Sequence, residues 1–455
     1  MSDAETIQAA QRCIEPDCAR LYGLRDKLLV CPHCGGLLEI VKRVNHAAQE
    51  LKEMWRARRA SNAPRDRSGV WRFRELLPFD EDAPIITLTE GNTPLYDAPR
   101  AARFCGLERL ELKHQGCNPT GSFKDTGMTV AITQAVRLGA RTAICASTGN
   151  TAASLAAYAA RAGLGCAILV PRGQISLAKL AQTLDYGALV FEVEGNFDDC
   201  MRLIQELAAE ETVYVVNSIN PFRLEGQKTV AIELLEQLDW QVPDHVVLPG
   251  GNLGNSSALG KGFFELLALG LIARVPRISV VQAEGAAPFA RLFARSQTDE
   301  RVELVPIAAP QTLATAIKIG APVSWKKALE VVRRTGGQVI SVSEREIAEA
   351  KAIIGRDGIG CEPASAAAVA GIKRLVETGF IARASSVIAV LTGHFLKDSD
   401  YAINYHRGTL RAPGDKELEG AHRNLPISVP ANKAEILARL DHQTNRDDHE
   451  HHFWF

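Results

Sequence analysis

The sequence lacks an excess of charge of either sign, a long apolar run and an apolar leader. Its 455 residues carry 52 Lys and Arg against 53 Asp and Glu, a net charge of −1. A dedicated nucleic-acid binder would usually be basic. No uncharged apolar run reaches the roughly 20 residues that span a bilayer, and the acidic N-terminus does not fit a secretory signal. We therefore expect a cytoplasmic protein without a nucleic-acid or membrane partner.

The ten cysteines fall into two groups. Six are scattered singly, as is usual for reduced cysteines in a cytoplasmic protein. The other four have the spacing C-x4-C-x12-C-x2-C within residues 1–45, and they are Cys13, Cys18, Cys31 and Cys34. Four thiols at this spacing predict a structural zinc ribbon. A remnant of such a ribbon without a metal stays open as the alternative.

Short apolar runs alternate with helical patterns between about residues 107 and 283, and again over residues 327–410. This alternation predicts an α/β fold with parallel sheets and helices on both faces. Ligands of such folds bind beyond the carboxyl ends of the strands. We therefore expect the functional residues directly after the apolar runs.

The first candidate site is residues 117–129, with the sequence CNPTGSFKDTGMT. Gly121 permits the backbone angle of a tight turn. Lys124 then falls in the first turn of the next predicted helix, where the helix dipole favours anions over a cation. Such a conflict is typical of functional sites. A desolvated lysine can act as a nucleophile, although a lone lysine is more often a solvated surface residue.

Two further motifs also follow apolar runs. Residues 248–257 have the sequence LPGGNLGNSS, and Gly250, Gly251 and Gly254 leave backbone N–H groups free to bind one phosphate. The spacing is not that of a dinucleotide-binding fingerprint, and no lysine follows as in a P-loop. Residues 146–154, ASTGNTAAS, present neutral donors at a helix start, which suits an anion. Taken alone, each could be an ordinary loop or helix cap.

A nucleophilic lysine, a single-phosphate cradle and an anion-binding turn together describe a pyridoxal phosphate site. Over about residues 85–410 the chain resembles the fold-type II pyridoxal phosphate enzymes, and among them it looks most like the threonine synthases. The resemblance is carried by the motifs NPTGSFKD, ASTGNTAAS, NSINPFRLEGQKT, PGGNLGN, GCEPASAA and LTGHFLKD. It implies an α/β fold like that of the tryptophan synthase β subunit, with two open, mostly parallel sheets flanked by helices.

The resemblance also implies a domain organisation and a cofactor site. The catalytic region would be residues 46–410, with a smaller lobe of about 125–220 nested in a larger one and with residues 411–455 as a tail. Lys124 would be the catalytic residue that forms the Schiff base with pyridoxal phosphate. Asn150 would meet the cofactor's 3′-hydroxyl group, and Thr392 would face the pyridine nitrogen. The phosphate loop would consist of Gly250, Gly251, Asn252, Leu253, Gly254 and Asn255.

The activity implied is that of a carbon–oxygen lyase, in which O-phospho-L-homoserine and water give L-threonine and phosphate. The substrate would be bound by Ser147, Thr148, Lys179, Asn217 and Arg223, and the enzyme would be a homodimer. Arginine and lysine suit a dianionic leaving group. Two alternatives stay open. One is a cysteate synthase-like β-replacement on O-phosphoserine, and the other is a zinc-ribbon binding module on a degenerate pyridoxal phosphate fold.

Overall fold

The computed structural model describes residues 8–173, 177–298, 302–414, 416–418, 420–437 and 439–440. Residues 8–42, called the N-terminal ribbon below, form an antiparallel sheet in the order β2–β1–β3. Its strands are β1 (Ala9–Cys13), β2 (Leu21–Tyr22) and β3 (Leu38–Lys42). Cys13 pairs with Leu38, so the turn that precedes β3 lies beside the end of β1.

The larger of the two main sheets has six strands in the order β12–β11–β10–β13–β5–β4. All neighbours are parallel except β4 and β5, which are antiparallel. The strands are β4 (Leu95–Asp97), β5 (Glu111–His114), β10 (His245–Pro249), β11 (Arg277–Ala283), β12 (Val339–Val342) and β13 (Val387–Leu391). The prediction of an open, mostly parallel sheet is therefore confirmed.

The smaller sheet has four strands, all parallel, in the order β8–β7–β6–β9. They are β6 (Thr142–Ala146), β7 (Gly165–Pro171), β8 (Leu189–Val193) and β9 (Val213–Val215). These strands lie between β5 and β10 in the sequence. The chain thus leaves the larger sheet, builds the smaller one and returns.

The α-helices named next connect and cover the sheets. They are α1 (Ala48–Arg59), α2 (Pro64–Arg67), α3 (Pro99–Cys105), α4 (Lys124–Arg137), α5 (Asn150–Ala162), α6 (Leu177–Asp185), α7 (Phe197–Leu207), α8 (Pro221–Gln237), α9 (Gly254–Ala268), α10 (Pro288–Arg295), α11 (Trp325–Thr335), α12 (Glu344–Arg356), α13 (Pro363–Glu377) and α14 (Ser399–Arg407). A short hairpin follows, β14 (Arg411–Ala412) and β15 (Lys416–Glu417). None of the described helices combines the length and the apolar character needed to span a bilayer.

The larger sheet is buried on both faces. Along β13, Val387, Ala389 and Leu391 pack into one apolar core, while Ile388 and Val390 pack into another on the opposite face. Successive side chains of a strand point to opposite faces, and a parallel sheet covered by helices on both sides needs both sets to be apolar. The interior of β13 therefore carries no polar side chain, and the first polar residue, Thr392, follows directly after the strand.

Two glycines let helices α4 and α8 touch along their backbones. A Cβ atom on Gly226 would lie 1.8 Å from the carbonyl oxygen of Thr126, and one on Gly127 would lie 2.7 Å from the carbonyl oxygen of Arg223. A real Cβ atom at either place would force the helices apart. This close contact brings the start of α4, with Lys124, next to the start of α8, with Arg223.

Candidate active site

The turns that follow β5 and β13 are hydrogen-bonded to each other. The backbone N–H group of Phe123 donates to the carbonyl oxygen of Thr392 over 2.9 Å, and that of His394 donates to the carbonyl oxygen of Gly121 over 2.9 Å. Gly121 has a φ of +84°, a conformation that glycine adopts without strain. Lys124 therefore begins α4 beside Thr392, at the carboxyl edge of the larger sheet.

The amine of Lys124 is largely shielded from water. Its Nζ atom lies 3.6 Å from the ring centroid of Phe123, and no acceptor within the described residues is in hydrogen-bond distance. Burial lowers the pKa of Lys124 to about 7, assisted by the positive charge of Arg223 and opposed by the carboxylate of Glu362. A large fraction of the amine is then unprotonated at neutral pH and able to act as a nucleophile.

The carboxyl group of Glu362 connects two of the predicted cofactor-binding residues. Asn150 Nδ2 donates to Glu362 Oε2 over 3.0 Å, and Thr392 Oγ1 donates to Glu362 Oε1 over 3.2 Å. Burial raises the pKa of Glu362. The structure thus brings Asn150, Thr392 and Lys124 around one buried carboxyl group.

Ser365 fixes the turn that carries Thr392. Its Oγ atom accepts from the backbone N–H groups of Thr392 over 2.8 Å and of Gly393 over 3.0 Å. The hydroxyl groups of Ser365 and Thr392 are 3.1 Å apart. Ser365 lies in α13, and Glu362 directly precedes this helix. The start of α13 therefore orients the side chains of Asn150 and Thr392.

The glycine-rich loop between β10 and α9 presents free backbone donors. Asn252 anchors the loop, since its Oδ1 atom accepts from the N–H group of Val323 over 3.1 Å. Leu253 has a φ of +66°, which turns the chain into the first residue of α9. Within the described residues, the N–H groups of residues 251–255 have no acceptor. Free donors at a helix N-terminus form a site for a phosphate group.

The turn after β6 is held by hydrogen bonds from the side chain of Asn217. The side chain of Asn217 is engaged with the backbone of Ala146, because Oδ1 accepts from its N–H group over 3.2 Å and Nδ2 donates to its carbonyl oxygen over 3.1 Å. Ser147 and Thr148 are partly exposed on this turn, and Ser147 Oγ accepts from the N–H group of Gly149 over 3.3 Å. Asn217 therefore holds the turn in the present structure.

Arg223 is a buried cation without a carboxylate partner in the described residues. It is 2% exposed, its Nη1 atom donates to the carbonyl oxygen of Val216 over 3.0 Å, and its Nε atom has no partner. Burial lowers the pKa of Arg223 to about 10. The backbone of Lys179 lies in α6, but its side chain lies outside the described residues. Arg223 thus has unused donor capacity for an anion.

The four N-terminal cysteines converge as their spacing predicts. All four Sγ atoms lie within 4.8 Å of one another; Cys13 and Cys34 are 3.4 Å apart, and Cys18 and Cys31 are 3.7 Å apart. Four thiolates at about 2.3 Å from a tetrahedral zinc ion would be separated by roughly 3.8 Å. The cluster has the donor atoms and approximate dimensions of a structural zinc site.

Comparison with known proteins assigns the fold and site to a family. The family model described as "Pyridoxal-phosphate dependent enzyme" matches residues 86–393, and the chain belongs to this family. Within it, the chain is similar to proteins named threonine synthase. The relative from Methanocaldococcus jannaschii is 46% identical over 86% of this chain and 94% of its own length. The one from Methanosarcina acetivorans is 43% identical, over 86% and 93% respectively.

A solved structure with the same fold is the processed form of threonine deaminase isoform 2 from Solanum lycopersicum. The TM-score is 0.57, the sequence identity is 19%, and the match covers 70% of this chain and 90% of that one. At this identity the likeness concerns the fold alone. The predicted fold-type II architecture is confirmed.

The residues around Lys124 fit pyridoxal phosphate. The free N–H groups of residues 251–255 suit its phosphate group, and the buried Nε2 atom of Gln115, which has no partner, is a further donor beside the loop. The Oε1 atom of the same Gln115 lies 3.4 Å from Nδ2 of Asn255. The unprotonated amine of Lys124 suits the aldehyde group. Within the described residues, the loop at 251–255, Gln115 and Lys124 thus all keep polar groups without a partner.

Glu362 and Ser365 are site residues that were not predicted from the sequence. Both lie in the motif GCEPASAA at 360–367, for whose residues the family resemblance implies no individual role. The signal was a carboxylate placed directly before an otherwise small and apolar helix. The role of this carboxylate depends on the pairing of β13 with β5, because that pairing brings the turn after β13 beside Lys124.

Proposed function

We propose that this protein catalyses the threonine synthase reaction, in which O-phospho-L-homoserine and water give L-threonine and phosphate. The observation that carries the proposal is the nucleophilic amine of Lys124 beside the unpaired, buried guanidinium group of Arg223. Burying a charge is costly unless a partner compensates it, and the phosphate group of the substrate is such a partner. The identity to threonine synthases over most of both chains supports the same substrate.

The cofactor would be held by the loop and by two side chains. The N–H groups of residues 251–255 would bind its phosphate group, while Asn150 and Thr392 would orient its ring. When bound, the cofactor accepts the electron pair that remains after a proton leaves the α-carbon of the substrate. Glu362 and Ser365 hold Asn150 and Thr392 in position through the hydrogen bonds described above.

The other steps belong to this chain's own residues. Lys124 Nζ, with a pKa near neutrality, would take the proton from the α-carbon and hold it for a later return. Arg223 would donate to the phosphate group and stabilise its charge as it leaves. Ser147, Thr148 and Lys179 would bind the anionic groups of the substrate, and Asn217 would keep the Ser147 turn in place through Ala146.

The experiment compares two phosphorylated amino acids with the cofactor-loaded protein. We expect phosphate release and threonine formation in equal amounts from O-phosphohomoserine, with little release from O-phosphoserine. Lys124→Ala should abolish both products, and Lys373→Ala, which removes a lysine that pairs with Glu377 within the same helix, is the matched control. Faster release from O-phosphoserine would instead support the cysteate synthase-like alternative and would contradict the proposal.

We also propose that the cysteine cluster binds a structural zinc ion. The support is the convergence of four thiols within 4.8 Å at the end of an antiparallel ribbon, where Cys31 N donates to Gly36 O over 2.7 Å in a tight turn. Elemental analysis of purified protein should find about one zinc ion per chain. Protein with the same fold and no bound metal would contradict this proposal.

We further propose that the protein is cytoplasmic, because all ten cysteines are free thiols and cysteines stay reduced in the cytoplasm.

We also propose that it is a homodimer, which the resemblance to the family implies. Light scattering of the purified protein should give twice the 49.3 kDa mass of one chain. A mass of one chain across the accessible concentration range would contradict the dimer.

A further inference from the structure

Lys397 is a cation at the edge of the site to which the resemblance gives no role. It lies in the 3₁₀ helix Phe395–Asp398, a few residues after Thr392, and it is half-buried. Its Cε atom would lie 2.9 Å from a Cβ atom on Gly121, so its aliphatic stem covers the turn that leads to Lys124. The side chain is thus held against the site.

The amine of Lys397 reaches across to the smaller sheet's helices. Its Nζ atom donates to Oε1 of Gln182 over 2.6 Å, and Gln182 lies in α6, which follows β7. Gln182 is three residues, or about one helical turn, after Lys179 in α6. The amine of Lys397 therefore contacts α6 about one turn from the backbone of Lys179, which is a predicted phosphate-binding residue.

The charge of Lys397 is not neutralised within the described residues. The carboxylates of Asp125 and Glu362 raise the pKa of Lys397, but burial dominates and lowers it. Asp125 is already satisfied by Thr120 and Ser154, and Glu362 by Asn150 and Thr392. Neither forms an ion pair with Lys397. A half-buried ammonium group whose partner is a neutral amide gains from a second, anionic acceptor.

Lys397 and Arg223 are linked electrostatically through Lys124 and Glu362. Arg223 and Glu362 both shift the pKa of Lys124, and Lys124 and Lys397 both act on Glu362. An anion that approaches Lys124 therefore enters the field of both cations. Lys397 and Arg223 each have donor capacity that the described residues leave unused.

We propose that Lys397 is a substrate-binding residue that contacts the phosphate group of the phosphorylated amino acid, and that Gln182 holds its amine in place. This inference rests on the proposed function. Lys397 follows a strand of the larger sheet, whereas Gln182 and Lys179 lie in a helix that follows a strand of the smaller sheet. The phosphate group of the substrate would therefore be bound by residues from both sheets.

The test measures KM for O-phosphohomoserine and the inhibition constant of inorganic phosphate in the cofactor-loaded protein. A charge-assisted hydrogen bond is worth about 1.5–3 kcal/mol, or roughly 10- to 100-fold. We expect Lys397→Gln to raise both constants by about tenfold or more while leaving the cofactor's visible absorbance unchanged. Lys397→Arg should restore most of the loss. Lys373→Gln, which removes an exposed lysine of α13 paired with Glu377, should change neither constant.

Three results would overturn the inference. The first is a change of less than twofold in both constants with Lys397→Gln. The second is a rise in KM that Gln182→Ala reproduces in full and Lys397→Arg does not relieve, which would indicate a contact between helices rather than phosphate binding. The third is weaker cofactor binding in Lys397→Gln, which would place Lys397 on the cofactor's phosphate.

Failure of the proposed function would look different. A wild-type protein that releases no phosphate from O-phosphohomoserine would contradict that function. Binding of inorganic phosphate, followed by calorimetry with wild type and Lys397→Gln, would still test the role of Lys397.

Discussion

Two regions of the molecule, the site around Lys124 (the lysine site) and the cluster of four cysteines, bring polar atoms together that have few hydrogen-bond partners in the described residues. The two regions are assembled differently. The lysine site gathers loops from distant parts of the sequence, from Lys124 to Thr392, at the ends of parallel strands. The cluster takes its four thiols from one short segment, Cys13–Cys34, of an antiparallel ribbon. The first is built by the tertiary fold, whereas the second is nearly local.

This difference determines what each site needs in order to keep its shape. In the lysine site, Ser365 holds Thr392, Asn217 holds the turn at Ala146 and Asn252 holds the glycine loop. The thiols of the cluster contact mainly one another and Tyr22. We expect the lysine site to be preformed without its cofactor and the cluster to depend on its metal.

The ribbon also contacts elements of both main sheets. Lys27 Nζ donates to the carbonyl oxygen of Val213 in β9 over 3.2 Å, and Lys327 Nζ in α11 donates to the carbonyl oxygen of Leu38 over 2.6 Å. Lys326 in α11 forms a 2.8 Å ion pair with Glu15. Loss of the ribbon's structure would therefore remove contacts to both sheets.

The largest expected effect is that of Lys124→Ala. We expect activity to fall by at least about 10³-fold, because the nucleophile and base are removed together, and the cofactor's visible absorbance band to disappear. The circular dichroism spectrum should stay unchanged, since the site is braced by other residues. A variant that keeps the band would contradict the assignment of Lys124.

The second prediction removes the metal while keeping the cofactor. Chelation, or Cys31→Ser, should raise amide hydrogen exchange in residues 8–42 by at least about 100-fold, because folding of such a ribbon is coupled to metal binding. The cofactor's absorbance should persist. Cys166→Ala, which removes a thiol outside the ribbon, is the control. Unchanged exchange in the ribbon would show that it folds without a metal.

The sequence predicted the parts of the lysine site that depend on strand ends. The motif around Lys124 and the loop at 250–255 each follow an apolar run, and the carboxyl ends of parallel strands meet at one edge of a sheet. The role of Thr392 was implied by the family resemblance. Glu362 could not be predicted in this way. It precedes a helix rather than following a strand, and its contacts with Asn150 and Thr392 arise from the order of the strands in the sheet.

The same limit applies to the fold. The four prolines at positions 78, 84, 94 and 99 favour loops over residues 67–100, yet strand β4 lies there. A three-residue edge strand leaves no periodic pattern in the sequence. The charged pattern of residues 46–66 favours a single helix, but α1 ends at Arg59 and a new short helix begins at Pro64. Proline is favoured in the first turn of a helix and disfavoured inside one. Long, buried elements were therefore predicted better than short, exposed ones.

The third prediction concerns the contact that places Lys124. In Gly226→Ala the new Cβ atom would overlap the carbonyl oxygen of Thr126, so α4 must shift. We expect the free energy of unfolding to fall by about 1–3 kcal/mol and the cofactor to bind more weakly. Gly139→Ala also replaces a glycine but has nothing within 4 Å of the new atom. It tests for a general glycine effect, although its positive φ adds strain of its own.

If Gly226→Ala binds the cofactor as tightly as the wild type does, the backbone contact between α4 and α8 does not position the amine. Urea titration gives the stability, and absorbance titration gives the affinity. Metal content should stay unchanged, because all four thiols belong to the ribbon.

The smallest expected effect tests whether the charges around Lys124 set its pKa. The Glu362 carboxylate raises this pKa and Arg223 lowers it, with a net value of about 7. Capture of the cofactor by the apoenzyme requires the unprotonated amine, so its rate should rise with pH through about 7. Glu362→Gln should move the midpoint to lower pH, and Arg223→Gln to higher pH, each by up to about one unit.

The measurement is the rate of appearance of the cofactor's visible band between pH 5.5 and 8.5, a range of roughly 1.5 units on either side of the expected midpoint. Titration of the free cofactor affects all variants equally, so the differences between them report on Lys124. Glu377→Gln, an exposed carboxylate on α13, should leave the midpoint in place. Shifts of the same sign in the two site variants would show that altered packing, rather than the two opposite charges, sets the pKa of the amine.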